Sequence, residues 1–284
     1  MTLALALAAS LLWGGSDFVG GTVSRRMAAR DVLAISQVIA AFLLAGYVIV
    51  TGEWRQANPG VLFALAAGVL WTLGIFSFYQ ALAAGTMGVV APIAACAVSV
   101  PVVAGLLTGE RPSALQLVGI GLGVTGSVAA AGPELRSGGR EARRARPILL
   151  AVLTACCFGV EILLLAHASR TSVPLTLAAM RAASLTCLFV PMVLRRRGLP
   201  NVGRATLVGV ILIAFLDLGG TAAFAASTRH GLISLVAVVS SLYGVVTVLL
   251  ARQVHRERLQ KVQAVAVATA FAGVLCIGLG SLGA

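Results

Sequence analysis

Residues 11–21 read LLWGGSDFVGG, and they set an aspartate, Asp17, inside an apolar run that begins near Leu3 and continues through Val19. A charged side chain at the centre of a bilayer costs about 2.5–3.5 kcal/mol even on insertion scales, so it turns inward to other helices or to a wet cavity. The stretch therefore predicts a membrane helix with one polar, inward face. About half a chain later the pattern returns as ACCFGVEILL, residues 155–164, with Glu161 in the place of Asp17, Gly159 in that of Gly15 and Cys157 in that of Trp13. The chain reads as two copies of one membrane unit, each with an acid in its first helix.

The remaining composition agrees. Of 284 residues 59% are apolar and 11% charged, and the mean hydropathy of +1.01 lies outside the range of soluble domains. Apolar runs of about 18 residues or more recur along the length, each near the ~20 that span ~30 Å of hydrocarbon as a helix. Strands that alternate over ~10 residues, as in a membrane barrel, are absent from the pattern. The net charge of +12 comes from short Arg clusters between apolar runs with little aromatic interleaving, which speaks for topology and against nucleic acid. Cys96, Cys156, Cys157, Cys187 and Cys276 all fall in apolar runs without metal-ligand spacing, and are expected as small core hydrophobes. The first run lacks a basic leader and is expected to stay as the first span.

Ten helices are expected, at 3–23, 32–51, 61–82, 86–108, 114–131, 148–168, 174–194, 205–226, 231–251 and 262–281. The fold class is thus all-α and membranous: two five-helix repeats, residues 1–131 and 148–284, joined by a basic polar linker at 132–147. The repeats align beyond their first helices. Gln37 corresponds to Arg181, LGIFSFYQA from Leu73 to LGGTAAFAA from Leu218, VVAPIAACA from Val89 to LVAVVSSLY from Leu235, and Gly109-Glu110-Arg111 to Arg256-Glu257-Arg258. Five spans is an odd number, so the second repeat is expected upside down relative to the first, with a shared site at mid-depth.

Basic residues collect on one side: Arg25, Arg26 and Arg30; Arg136, Arg140, Arg143, Arg144 and Arg146; Arg195, Arg196, Arg197 and Arg204; Arg252, Arg256, Arg258 and Lys261. The other side has Arg55, Arg111, Arg170 and Arg229. By the positive-inside rule alone both termini lie outside the cytoplasm.

Within the spans Asp17, Glu161 and Asp217 are candidates to bind a substrate ammonium group or to carry protons. Asp217 directly precedes Gly219 and Gly220, where a cavity could open. Arg181, the one basic residue in the middle of an apolar run, is expected to form a structural ion pair with Glu161 on the neighbouring helix. Trp13, Tyr79 and Tyr243 offer flat faces to an organic cation, as do Trp71 and Phe78, although aromatics in spans more often pack. Ser16, Gln80, Ser99, Ser240 and Ser241 are further candidates for substrate hydrogen bonds, against the commoner use of such hydroxyls on their own backbone. Pro92 and Pro101 should kink the fourth helix and make it a gate. Gly119, Gly121, Gly123 and Gly126 contain a GxxxG spacing, a packing or dimer face.

The opening LLWGGSDFV, FYQAL in the third helix, VVAPIAA in the fourth and GERPSALQLVGIGLGVTG leading into the fifth together resemble the EamA domain of the drug/metabolite transporter superfamily, twice over essentially the whole chain. The resemblance implies a ten-helix inner-membrane transporter of amino acids or other small metabolites. Its cavity would be lined by the first, third, fourth, sixth, eighth and ninth helices, and its termini would lie in the cytoplasm, opposite to the charge count. Arg181 matches an Arg often found in the second helix of each unit, whereas the first unit has Gln37.

The expected function is secondary transport of a small organic metabolite across the cytoplasmic membrane of a bacterium, with export of amino acids or related compounds by alternating access. The alternative is efflux of drugs or quaternary amines. A membrane-embedded enzyme or a channel is the competitor from another class. There is no HExxH, Walker loop or Asp-rich motif, and Ser16 lacks the surroundings of a nucleophile elbow, so no catalytic residue, metal or cofactor is expected. The expected partners are the small-molecule substrate and membrane lipid, not nucleic acid, with the chain as monomer or homodimer.

Overall fold

The computed structural model describes residues 2–85, 87–135, 141–194, 203–256 and 261–280. Arg136, Arg140, Arg195, Arg196, Arg197, Glu257 and Arg258 lie outside them. The described residues form helices and no strand: α1 Thr2–Ser24, α2 Ala29–Thr51, α3 Gly60–Ala84, α4 Met87–Ala95, α5 Ser99–Leu107, α6 Ala114–Leu135, α7 Glu141–Ala168, α8 Val173–Leu194, α9 Arg204–Thr228, α10 Ile233–Ser240, α11 Tyr243–His255 and α12 Lys261–Gly280. Among them seven helical stretches are long and apolar enough to cross a membrane, α10 and α11 counting as one, with shorter apolar helices at Ile93–Leu107 and Ala114–Gly123. Outward faces are as apolar as the interior. Phe42, Val50, Leu62 and Leu107 are exposed, which lipid tolerates and water does not.

Two of the expected helices are broken. The fourth is interrupted by a 3-10 turn at Cys96–Val98, between α4 and α5. Pro101 has no N–H to give Ala97, and the chain passes so close to Gly159 of α7 here that a Cβ on that glycine would stand 2.9 Å from the Ala97 carbonyl oxygen. The ninth breaks at Ser241–Leu242 without any proline. There the Ser241 hydroxyl donates to the Val238 carbonyl at 2.7 Å, in competition with the helical ladder. Helix enters the stretch expected as linker from both sides: α6 runs to Leu135 and α7 starts at Glu141. Ala, Arg and Glu are strong helix formers, and their propensity outweighs the polarity of the segment.

Packing pairs α1 with α9, α3 with α7, α2 with α8, α6 with α12, α4 with α11 and α5 with α10. Exchanging α1–α6 for α7–α12 maps every one of these pairs onto another or onto itself. The expected small-residue face of α6 is used inside the chain, where the backbone of Gly119 and Gly123 lies against Gly273 of α12. Glu110 spans the two halves at one end of the bundle. Its carboxylate accepts from the backbone N–H groups of Ile233, at 2.7 Å, and Ser234, at 3.2 Å, which open α10. Of the cysteines only Cys157 is buried; Cys156 is exposed and the others are intermediate, so most meet the surface rather than the core.

Candidate functional site

Five helices contribute side chains to one cavity. It is lined by Trp13 and Asp17 of α1, Trp71 and Ile75 of α3, Phe158, Glu161 and Ile162 of α7, Asp217 of α9 and Tyr243 of α11. The spacing explains the convergence. Trp13 and Asp17, Trp71 and Ile75, and Phe158 and Ile162 are each four residues apart, so each pair sits on one helix face. Asp17 lies seven residues before the end of α1 at Ser24, and Glu161 seven before the end of α7 at Ala168. Both acids are therefore about 10 Å of helix from the C-terminal ends of their helices.

The walls are aromatic, and glycines seat them. A Cβ on Gly220 would stand 2.6 Å from Trp13 Cδ1, and one on Gly74 would stand 2.7 Å from Phe158 Cδ1. Trp13 donates its Nε1–H to Thr221 Oγ1 at 3.2 Å and meets Tyr243 edge to face, with centroids 6.3 Å apart. The Tyr243 hydroxyl is buried without a hydrogen-bond partner.

Electrostatics in the cavity are set by Arg181 on α8, which is fully buried. Its Nη2 donates to Asp217 Oδ2 at 2.7 Å, its Nη1 donates to Gln37 Oε1 at 2.8 Å, and its guanidinium lies 4.7 Å from the centroid of the Trp71 ring. The expected pairing of Arg181 with Glu161 is thus corrected: the ion pair goes to Asp217 on α9. Asp217 reaches the guanidinium end-on, whereas Glu161 turns into the cavity. Among the described residues neither Asp17 nor Glu161 has an ion-pair partner. Three carboxyl groups face this space with a single guanidinium behind them, and no three His, Cys, Asp or Glu side chains among the described residues come together as a metal site.

Of the sequence candidates, Trp13, Asp17, Trp71, Glu161, Asp217 and Tyr243 meet here. Others do not. Tyr79 is on the same face of α3 as Trp71 but two turns further along, buried against Gly20. Gln80 is displaced to the end of α3, where its Oε1 accepts from Arg146 Nη2 at 3.4 Å. Ser16, Ser240 and Ser241 turn to backbone carbonyls, of Ile213, Ala6 and Val238. Ser99 opens α5 and Pro101 is buried within it, neither lining the cavity, and Pro92 lies in α4. Phe158, Ile75 and Ile162 were not singled out from the sequence. The four-residue spacing of Phe158 and Ile162 around Glu161 was the available signal.

With seven membrane-length helical stretches among its described residues, folded round an acidic and aromatic cavity to which both halves contribute, the chain is a multi-pass membrane protein. The profile of the EamA-like transporter family matches residues 1–131 and 145–279, and the chain belongs to that family. Among curated proteins no sequence matches. A solved structure described as a crystal structure of a protein is similar over 98% of this chain and 96% of its own, with a TM-score of 0.75 at 17% identity, a likeness of fold alone.

Proposed function

We propose that the protein is a ten-span secondary carrier, built of two inverted five-helix repeats, that exports amino acids or related small metabolites across the cytoplasmic membrane of a bacterium. The observation that carries this reading is the charge balance of the cavity. Asp17 and Glu161 face it unpaired, while the buried cation Arg181 is occupied by Asp217 and Gln37. A site with surplus negative charge in a low-dielectric surround favours a cationic group. The substrate ammonium binds between Asp17 and Glu161, and the unpartnered Tyr243 hydroxyl donates to its carboxylate or carbonyl oxygen.

If α1 and α7 run in opposite directions through the membrane, as inverted repeats require, Asp17 and Glu161 lie on either side of the midplane. The pairwise exchange of helix contacts supports that arrangement. Alternating access then consists of one repeat rocking on the other. The breaks between α4 and α5 and between α10 and α11, elements that pack across the repeats, are the points of give. Uphill movement draws on proton or substrate exchange at the two acids. Efflux of quaternary amines is the second reading, favoured by the walls of Trp13, Trp71, Phe158 and Tyr243.

The test is transport by purified protein in liposomes, screened over amino acids, quaternary amines and sugars with and without a pH gradient. Saturable flux of an ammonium compound is expected, and it should be abolished by Asp17→Asn with the fold intact. Saturable sugar flux without any amine flux would refute the reading, as would full transport by Asp17→Asn at every pH.

A further inference from the structure

Away from the central cavity, two hollows meet at the end of the bundle where α1, α3 and α8 finish and α2 and α7 begin. One, of about 700 Å³, is the polar hollow, so called for its border of Ser24, Arg30, Gln80 and Arg146; its walls are mostly alanine and Phe76. The other, of about 880 Å³, is an apolar groove between α3 and α8, lined by Leu73, Phe76, Leu188, Pro191 and Met192, with Arg30 at its mouth. Arg30 and Phe76 belong to both.

The polar hollow has donors without matching acceptors. Arg30 and Arg146 are exposed. The bond from Arg30 to Asp31 uses only Nε, at 3.2 Å, and Arg146 gives Gln80 one long bond at 3.4 Å. The hydroxyl of Ser24 is buried on this border and has no partner. Asp31 is the one carboxylate bonded to either arginine among the described residues, so the hollow is positive overall. A positive, donor-rich recess that continues into an apolar groove along membrane-length helices has the amphipathic pattern of a phospholipid, with its sign reversed at the head.

We propose that this is a binding site for an anionic phospholipid. Arg30 and Arg146 hold the phosphate, the Ser24 hydroxyl donates to it or to the glycerol oxygens, and one acyl chain lies in the groove between α3 and α8. The site is independent of what the central cavity carries, because no residue lines both. A bound lipid bridges α2, α3 and α8 to the start of α7, and so ties the first repeat to the second at this end.

The test is lipid binding by the full-length protein, delipidated in neutral detergent and titrated with phosphatidylglycerol or phosphatidylcholine of matched chains, read by native mass spectrometry. Phosphatidylglycerol is expected to bind more tightly. Arg30→Gln with Arg146→Gln, both at exposed positions, should weaken it by about 30-fold, the loss expected of two near-surface cations, and should leave phosphatidylcholine unchanged. Leu188→Trp, which fills the groove, should weaken both lipids. Arg55→Gln with Arg229→Gln, at the other end of the bundle, should change neither. Equal affinity for the two lipids, undiminished phosphatidylglycerol binding by the double Arg30/Arg146 variant, or displacement of the lipid by equimolar inorganic phosphate would overturn the proposal.

Discussion

Replacing Arg181 by Met keeps the length and apolar stem of the side chain and removes its charge, which leaves Asp217 buried without its guanidinium. Removing one partner of a buried ion pair costs about 3–5 kcal/mol. The geometry gives an independent bound, because the stranded carboxyl can escape by taking up a proton. With a reference carboxyl value of about 3.9, that costs about 4 kcal/mol at pH 7 and about 1.5 kcal/mol at pH 5. The lost bond to Gln37 and the lost stacking on Trp71 add a smaller part that does not depend on pH. Arg181→Met should therefore be destabilised by about 4 kcal/mol at pH 7, and the deficit should shrink as pH falls and protonation becomes cheap. Adding Asp217→Asn removes the carboxyl and should recover most of the loss, leaving a remainder of about 1 kcal/mol that is insensitive to pH. Reversible unfolding of the four proteins in mixed micelles at pH 5 and 7 measures all of these terms as a double-mutant cycle. A cost below about 1 kcal/mol at pH 7, or one equal at the two pH values, would refute the pairing and the charge balance derived from it.

Glu110→Ala strips the start of α10 of two charge-assisted bonds, and should cost about 2–3 kcal/mol in the same unfolding assay, with Glu110→Gln closer to the parent. Gly68→Ala would drive a Cβ to 2.4 Å from the Met180 backbone carbonyl, and should destabilise by about 1–3 kcal/mol because backbone cannot step aside. Gly46→Ala in α2 meets nothing within 4 Å, and should be neutral or stabilising by up to about 1 kcal/mol; a loss of stability there as large as at Gly68 would refute the packing argument, since helix propensity favours Ala at both positions. Gly220→Ala should push the Trp13 ring and break its bond to Thr221, and a tryptophan emission spectrum identical to the parent's would contradict the placement of that ring.

The acids were the most legible part of the site, since a carboxylate in an apolar run has few tolerable places and Asp17, Glu161 and Asp217 share one. Which acid takes the arginine was not legible. All three are plausible in sequence, and the choice rests on angstrom-scale reach between α8 and α9. Tyr79 shows the limit of periodicity: the four-residue stripe from Trp71 through Ile75 gives its face correctly but not its depth, which differs by about 12 Å of helix. The break in the fourth helix could be anticipated from its prolines. That between α10 and α11 could not, because serine hydroxyls turn to the backbone only where the surroundings permit it.

Gln37 and Arg181 occupy corresponding positions in the two repeats and touch each other. Under the inverted-repeat arrangement proposed above, positions that correspond and also touch straddle the two-fold axis between the halves, where a second guanidinium would crowd the first. An arginine in both places would bring two like charges to within hydrogen-bonding distance and cancel much of the surplus negative charge that Asp17 and Glu161 give the cavity. The halves are thus barred from becoming identical at this point, and a homodimer of either half would lose the division of labour between amide and cation on which the interior charge depends.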